Sequence, residues 1–470
     1  MTAQPAQLRA PNSIAARDIA HVMHPYTNLV RHETAGPLVI ESGKGIYVYD
    51  DQGREYIEGM AGLWCAGLGF SEPALVDAAI EQMRKLPFYH GFGHKTTPPV
   101  VALAEKLKSL SPVPVGKVFF AEGGSAANDT LIKLVWYYNN ARGKTDKKTI
   151  LSRVKGYHGV TVATASLTGL PANHRDFDLP IARISHVACP HYYRFAEAGE
   201  SEADFVARLA RDLDAFIETE GADSIAAFFA EPVMGAGGVI VPPQGYFPAI
   251  QAVLKKHDVL SISDEVICGF GRTGRQWGAE AMDYRPDFLT CAKQLSGAYM
   301  PISAVLVPEH VYDVIRDNSG RIGTFGHGFT YGGHPVAAAV ALRALELYEE
   351  RDMLGHVNRV SPRFQARLQK LAGHPLVGEA RGIGLIGAVE LVADKASRRP
   401  FAPAAGVGAA CMAFAEQEGL IQRAVAGDTM AFCPPMIITE TEIDEMFDRF
   451  ERALERTLAL VETGGLRDRA

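Results

Sequence analysis

Short, nearly continuous apolar runs recur through the middle of the chain, separated by stretches with helical spacing. Lys117–Ala121 (KVFFA), Thr149–Arg153 (TILSR), Ile225–Ala230 (IAAFFA), residues 259–263, residues 287–291 and Ile302–Val307 predict strands. Residues 126–138 predict the helix after the first of them. Runs of this kind alternating with helices argue for a mostly parallel sheet covered on both faces. Before residue 60 the period changes: residues 45–58 alternate around a turn at Asp51–Gly53, which predicts an antiparallel hairpin. After Pro335 come two predicted helices, 336–351 and 353–372, a strand pair or bulged strand within 378–392, and a closing helix from about 440 to 461. The expected architecture is α/β, with three parts: residues 1–75 as an arm and hairpin packing with the small domain, a large unit at 76–335, and a smaller α+β unit at 336–470. No internal repeat or low-complexity linker interrupts it.

Composition narrows the function classes. The chain has 470 residues, 47% hydrophobic and 21% charged, enough for a large buried core and too apolar for disorder. The net charge of −7 is spread without a basic stripe, so no nucleic-acid partner is expected. No apolar run approaches the ~18 residues of a membrane span, so no membrane partner is expected either. Six cysteines (65, 189, 268, 291, 411 and 433) lack CxxC spacing and lie mostly in apolar stretches, which predicts reduced thiols in the cytoplasm. The N-terminal segment has no signal-peptide core. It faintly resembles a transit peptide, but an ordinary arm is the expectation.

The candidate chemistry centres on two strand ends. Asp264 closes the run 259–263, and Lys293 follows the run 287–291. Taken singly, Asp264 reads as a turn or cap residue and Lys293 as one more surface charge. Together, on adjacent strands, they can bracket a flat cofactor. A desolvated lysine amine can condense with an aldehyde, and a carboxylate opposite can keep a pyridine nitrogen protonated, which is the pair that pyridoxal 5'-phosphate (PLP) requires.

Other patterns compete. Gly269–Gly274 fits GxGxxG, but its acidic residues precede it and no βαβ unit follows, which argues against a dinucleotide site. Gly143-Lys144-Thr145 ends like a phosphate-binding P-loop, yet the motif's first glycine would fall on Tyr138. The histidines show no HExxH or similar spacing, so no metal is expected. Gly123-Gly124-Ser125, between a strand and a helix, is the better anion site: glycine admits close approach, and a helix N-terminus offers free amides. An ordinary cap by Ser125 fits the same residues. Tyr157, at a strand end, can stack on a ring or simply pack.

In chain order, GMAGLWCAGLGF (59–70), GGSAANDT (123–130), YHGVT (157–161), SDEVICGFGRTG (263–274), CAKQLSGAYMPISA (291–304), TFGHGFTYGGHP (324–335) and RGIGLIGAVEL (381–391) resemble the class III PLP-dependent aminotransferases. The resemblance runs from about residue 25 to 455. It leans toward ω-amine:pyruvate and β-alanine:pyruvate transaminases through Trp64 and Phe88. It implies PLP transferase fold type I and amino transfer from a primary amine or ω-amino acid to pyruvate or another 2-oxo acid, by way of pyridoxamine phosphate. It also implies a homodimer or a dimer of dimers with active sites at the interface.

By the same resemblance, Lys293 and Asp264 are catalytic. The cofactor is held by Gly124, Ser125, Tyr157, His158, Glu231, Asp264, Val266 and Lys293, with Phe329 and Thr330 supplied by the partner subunit. Trp64, Phe92, Tyr157 and Ala236 line the substrate pockets, and Arg423 matches a mobile arginine that binds carboxylates. The chain departs from the family pattern at Gly123, where a serine is common, and at Ala126, where a glutamate is common. Gly93 is small beside Phe92. An aminomutase or decarboxylase on the same fold, and a non-catalytic PLP-binding protein, are the alternative readings.

Overall fold

The structure is a computed structural model and describes residue 10 and residues 12–467. Strands β1 (Ile40–Lys44), β2 (Tyr47–Asp50) and β3 (Glu55–Glu58) form an antiparallel meander ahead of the large sheet. The hairpin turn falls between β2 and β3, where the alternation predicts it; β1 is an additional strand.

Seven strands make the large sheet: β4 (Lys117–Ala121), β5 (Thr149–Arg153), β6 (Ile184–Val187), β7 (Ile225–Ala230), β8 (Leu260–Asp264), β9 (Phe288–Cys291) and β10 (Ser303–Val307). Their order is β4-β10-β9-β8-β7-β5-β6, and β10 alone runs against its neighbours. Every residue of β7 is buried, as its unbroken apolar run requires when helices cover both faces. Strand β6 escapes the apolar-run criterion because its sequence, ISHV, is only partly buried at the sheet edge.

The C-terminal part contains β11 (Val377–Ile383), β12 (Ile386–Leu391), β13 (Leu420–Ile421), β14 (Arg423–Val425) and β15 (Thr429–Phe432). Four of these form an antiparallel sheet in the order β11-β12-β15-β14. The fifth, β13, leaves that sheet and pairs in parallel with β3, joining the N-terminal meander to the end of the chain. Helices Pro335–Glu350, Met353–Lys370 and Glu440–Thr463 pack around this region. Their starts are set locally. His334 accepts the Val336 amide at one, and Thr439 and Glu442 make a reciprocal capping box at another.

Candidate active site

A cavity of about 820 Å³ opens at the carboxyl ends of the central strands. The strand order explains what it contains. β8 and β9 are parallel neighbours in register, with Asp264 opposite Thr290, so the carboxylate at the end of one strand stands beside the turn that begins after the other. That turn starts at Lys293, whose backbone lies in the left-handed region (φ 48°) and which opens a short 3-10 segment, Lys293–Ser296. A non-glycine residue held in that region is an uncommon, costly conformation, of the kind found where a side chain must be aimed. Among the described residues the Lys293 amine has no hydrogen-bond or ion-pair partner, and it lines the cavity.

Asp264 is held by three donors. Its Oδ2 takes hydrogen bonds from Asn128 Nδ2 (2.7 Å) and His158 Nδ1 (2.8 Å), and its Oδ1 takes one from the Val266 amide (3.1 Å). Asn128 is itself locked: its Oδ1 accepts from the Thr290 hydroxyl at 3.0 Å, and its amide also donates to the His158 carbonyl at 2.9 Å. The buried quartet Asn128, His158, Asp264 and Thr290 thus ties a helix, a loop and two strands to one carboxylate. Asn128 carries no mark in the sequence beyond its place in GGSAANDT, one turn after Ser125.

The glycine turn forms an anion cradle. Helix Gly124–Ala141 begins after Gly123, which supplies no side-chain cap, so the first amides of the helix are left for another acceptor. Ser125 Oγ accepts from the Val160 amide (3.1 Å), which leaves its own proton to donate. A Cβ on Gly123 would meet nothing within 4 Å, so there is room at the turn. These donors fit a phosphate. The Asp264 carboxylate, fixed by its three donors and lining the same cavity as that cradle, fits a planar heteroaromatic ring with a protonated ring nitrogen.

Glu231 is fully buried, and burial pushes its carboxyl above the usual range. It accepts from the Tyr157 amide and the Gly235 amide, both at 2.9 Å, and so fixes the backbone of Tyr157 and of the turn that carries Ala236. That turn passes so close to Lys155 that a Cβ on Gly237 would lie 2.2 Å from the Lys155 carbonyl oxygen; only glycine fits. The Tyr157 phenol is pushed well up, by burial first and then by its hydrogen bond with Tyr26.

Trp64 reaches the cavity from a segment in which Ala61, Gly62 and Trp64 all have positive φ, and Glu58 accepts the Met60 amide at 2.9 Å to anchor that segment. Arg423, the first residue of β14, also lines the cavity, and among the described residues its guanidinium has no hydrogen-bond or ion-pair partner. An unpaired, half-buried guanidinium facing a cavity is a receptor for an anion.

Of the residues singled out from the sequence, Lys293, Asp264, Gly124, Ser125, Tyr157, His158, Glu231, Val266, Trp64, Ala236 and Arg423 line this one cavity. Phe92, Phe329 and Thr330 do not. A Cβ on Gly328 would touch the Phe92 ring at 3.1 Å, which places Phe92 beside the 324–335 loop and outside the cavity of its own chain. Tyr26, Asn173 and Cys65 line the cavity and were not anticipated. The Gly269–Gly274 turn has a structural part: fully buried Arg272 donates to the Leu385 and Pro434 carbonyls at 3.0 and 2.6 Å, clamping the C-terminal sheet to the central one.

The sequence model of the family described as aminotransferase class-III matches residues 29–454. Among curated proteins, gamma aminobutyrate transaminase 1, mitochondrial, of Solanum lycopersicum is 50% identical over 442 residues, covering 94% of this chain and 86% of that protein. The corresponding transaminase 1 of Oryza sativa subsp. japonica is 49% identical over 437 residues, covering 93% and 84%. Among solved structures, the omega transaminase from Pseudomonas jessenii in complex with PMP superposes with a TM-score of 0.94 at 53% identity, covering 96% of this chain and all of that one. With the matched model spanning most of the chain and relatives near half identity along nearly all of it, this chain belongs to the class III aminotransferases, enzymes of fold type I that depend on pyridoxal phosphate.

Proposed function

We propose that the protein moves an amino group from a primary amine or ω-amino acid to pyruvate or another 2-oxo acid. When bound, PLP supplies an electron sink to which the substrate's carbon can give up a proton. The chain's residues supply the rest. The helix N-terminus at Gly124 and Ser125 would hold the cofactor's phosphate, Asp264 would pair with its ring nitrogen, and Val266 and Tyr157 would pack on its ring. Lys293 holds the cofactor and carries a proton between carbon atoms as general acid and base.

One observation carries the proposal. Two basic side chains with no partner among the described residues, the Lys293 amine and the Arg423 guanidinium, face the same cavity as the Asp264 carboxylate. The first suits a carbonyl, and the second a carboxylate of the 2-oxo acid or of the amino-acid donor. Apolar walls from Trp64, Ala236 and Val266 suit an uncharged amine body. The solved Pseudomonas jessenii relative is named an omega transaminase and the curated relatives gamma-aminobutyrate transaminases, which supports a donor whose amine is remote from any carboxylate.

The same reading takes 76–335 as the cofactor-holding unit and joins 1–75 to 336–470 as the unit that reads the carboxylate. It makes the working form a homodimer or a dimer of dimers. Supporting this, Phe88, Phe92 and Tyr331 are exposed around the 324–335 loop, where Phe329 and Thr330 could reach a partner's cofactor phosphate. Six unpaired cysteines, five of them buried, support a thiol-reducing compartment such as the cytoplasm. Among the described residues no helix is long and apolar enough to cross a membrane.

The test is turnover of ω-amino acids and arylalkylamines with pyruvate, following alanine. Lys293→Ala should lose about 10²–10⁴-fold in kcat and no longer retain the cofactor covalently after borohydride treatment. Conversion of the amine at full rate without any 2-oxo acid would replace transamination with a mutase or decarboxylase reaction.

A further inference from the structure

Three clusters outside the catalytic centre bring His, Asp and Glu ligand atoms within 4.8 Å of one another. Two are already neutralised. In His191–Glu379–Glu390, Arg381 reaches Glu390 at 2.8 Å and Arg194 reaches it at 2.5 Å. In Asp214–Glu218–His257, Lys256 reaches both carboxylates, at 2.8 and 3.0 Å. The third, Asp18–His24–His32, differs. Among the described residues no Lys or Arg pairs with Asp18, and two imidazoles aim Nε2 at its carboxylate instead: His24 at 2.8 and 3.0 Å and His32 at 3.0 Å. The two rings face each other with centroids 4.1 Å apart.

We propose that Asp18, His24 and His32 form a binding site for one divalent late first-row cation, with zinc the best match. Two imidazole nitrogens and one carboxylate oxygen are a ligand set that zinc takes with further positions left to water. Tetrahedral metal–ligand bonds of about 2.0–2.2 Å set ligand atoms roughly 3.3–3.6 Å apart, so each imidazole nitrogen, now 2.8 or 3.0 Å from the Asp18 oxygen, has to draw back by roughly half an ångström. Neutral imidazoles accept the ion by moving their proton from Nε2 to Nδ1, and the ion takes over the charge balance of Asp18. The side chains of Asp18 and His24 are 18% and 28% exposed, which gives the ion a route in.

The site has a structural consequence. Asp18 sits in the helix Ile14–His21, His32 in the helix Leu29–Ala35, and His24 in the loop between them. The same loop carries Tyr26, which lines the catalytic cavity, accepts a 2.6 Å hydrogen bond from Asn173 Nδ2 and bonds to Tyr157. A cation joining the two helices to the loop therefore fixes the N-terminal arm over the cavity mouth.

The test is calorimetric titration of the intact holoenzyme with zinc, together with the visible spectrum of the cobalt form. Wild type should bind one equivalent. His24→Ala and His32→Ala should each weaken binding at least about tenfold, given that even outer-shell losses cost about 10–100-fold. Cys65→Ala, which removes the thiol in the cavity, should leave binding unchanged. Zinc should also slow tryptic cleavage after Arg17 and Arg31 several-fold in wild type and not in the histidine variants. Binding that persists in both histidine variants, or that is lost with Cys65 or with the cofactor, would overturn the site. Binding without protection from trypsin would overturn the clamp.

Discussion

His158 Nδ1 stands 2.8 Å from Asp264 Oδ2, with both side chains buried. The imidazole can bond that oxygen well only as a donor, so the pair has one productive arrangement, and Asn128 fills the other approach to the same atom. Asp264→Asn keeps the shape but offers one acceptor oxygen to three donors, sets its NH2 against at least one of them, and removes the charge. With cofactor content measured separately, kcat should fall by at least about 10²-fold, the scale seen when one preorganised electrostatic partner is removed. Unchanged kcat at full occupancy would detach Asp264 from the chemistry.

Arg423 has no partner of its own among the described residues, so its removal should be felt mainly by anionic substrates. A charge-assisted hydrogen bond is worth about 1.5–3 kcal/mol. Arg423→Leu should therefore raise KM for the 2-oxo acid roughly 10- to 100-fold, while KM for a neutral arylalkylamine changes little. Steady-state kinetics with each substrate varied in turn distinguishes this from a general loss of fold.

Gly159 has φ 133°, and a Cβ there would lie 2.6 Å from Ser125 Oγ and 2.7 Å from Thr164 Oγ1. Gly159→Ala should push Ser125 off the cradle and weaken cofactor retention by about tenfold, the scale of one lost hydrogen bond to a charged group. Dialysis followed by cofactor quantification checks it.

Burial raises the Glu58 carboxyl from 4.5 to about 7. The folded protein therefore keeps a proton that the unfolded chain has already released, and stability falls as pH rises from about 4.5 to about 7 and then levels off. Glu58→Gln still accepts the Met60 amide and cannot ionise. It should raise Tm more at pH 8 than at pH 5, with a gain of up to about 3 kcal/mol at the higher pH. Calorimetry at the two values decides it; equal effects at both would mean that Glu58 does not titrate in this window.

What could be read from the sequence was whatever the physics of strands makes periodic. Asp264 and Lys293 stood out because apolar runs end at them, and a parallel sheet places such ends on one edge. Asn128 did not, because a polar residue on a helix is ordinarily solvated, and its burial depends on a partner 136 positions away. Fully buried Arg153 is similar: it donates to the Glu231 carbonyl, a contact visible only after folding. Tyr26 and the Asp18–His24–His32 cluster were hidden for another reason. Their spacing follows no helix or strand period, since two helices and a loop contribute one ligand each. The strand pair predicted near 378–392 is β11 and β12, but β13 and β14 are too short to leave a pattern.

The pairing of β13 with β3 has a consequence for how the protein is made. Leu420 aligns with Ile57, so the β3 edge of the meander waits for a segment synthesised about 360 residues later. At about 5–20 residues per second, that edge stays unpaired for tens of seconds. An open strand edge is a template for pairing with other chains. Nascent protein should thus be most prone to aggregate in the interval before residue 421 appears, and chaperone demand and expression temperature should bear on yield through this one parallel pairing more than through the large central sheet.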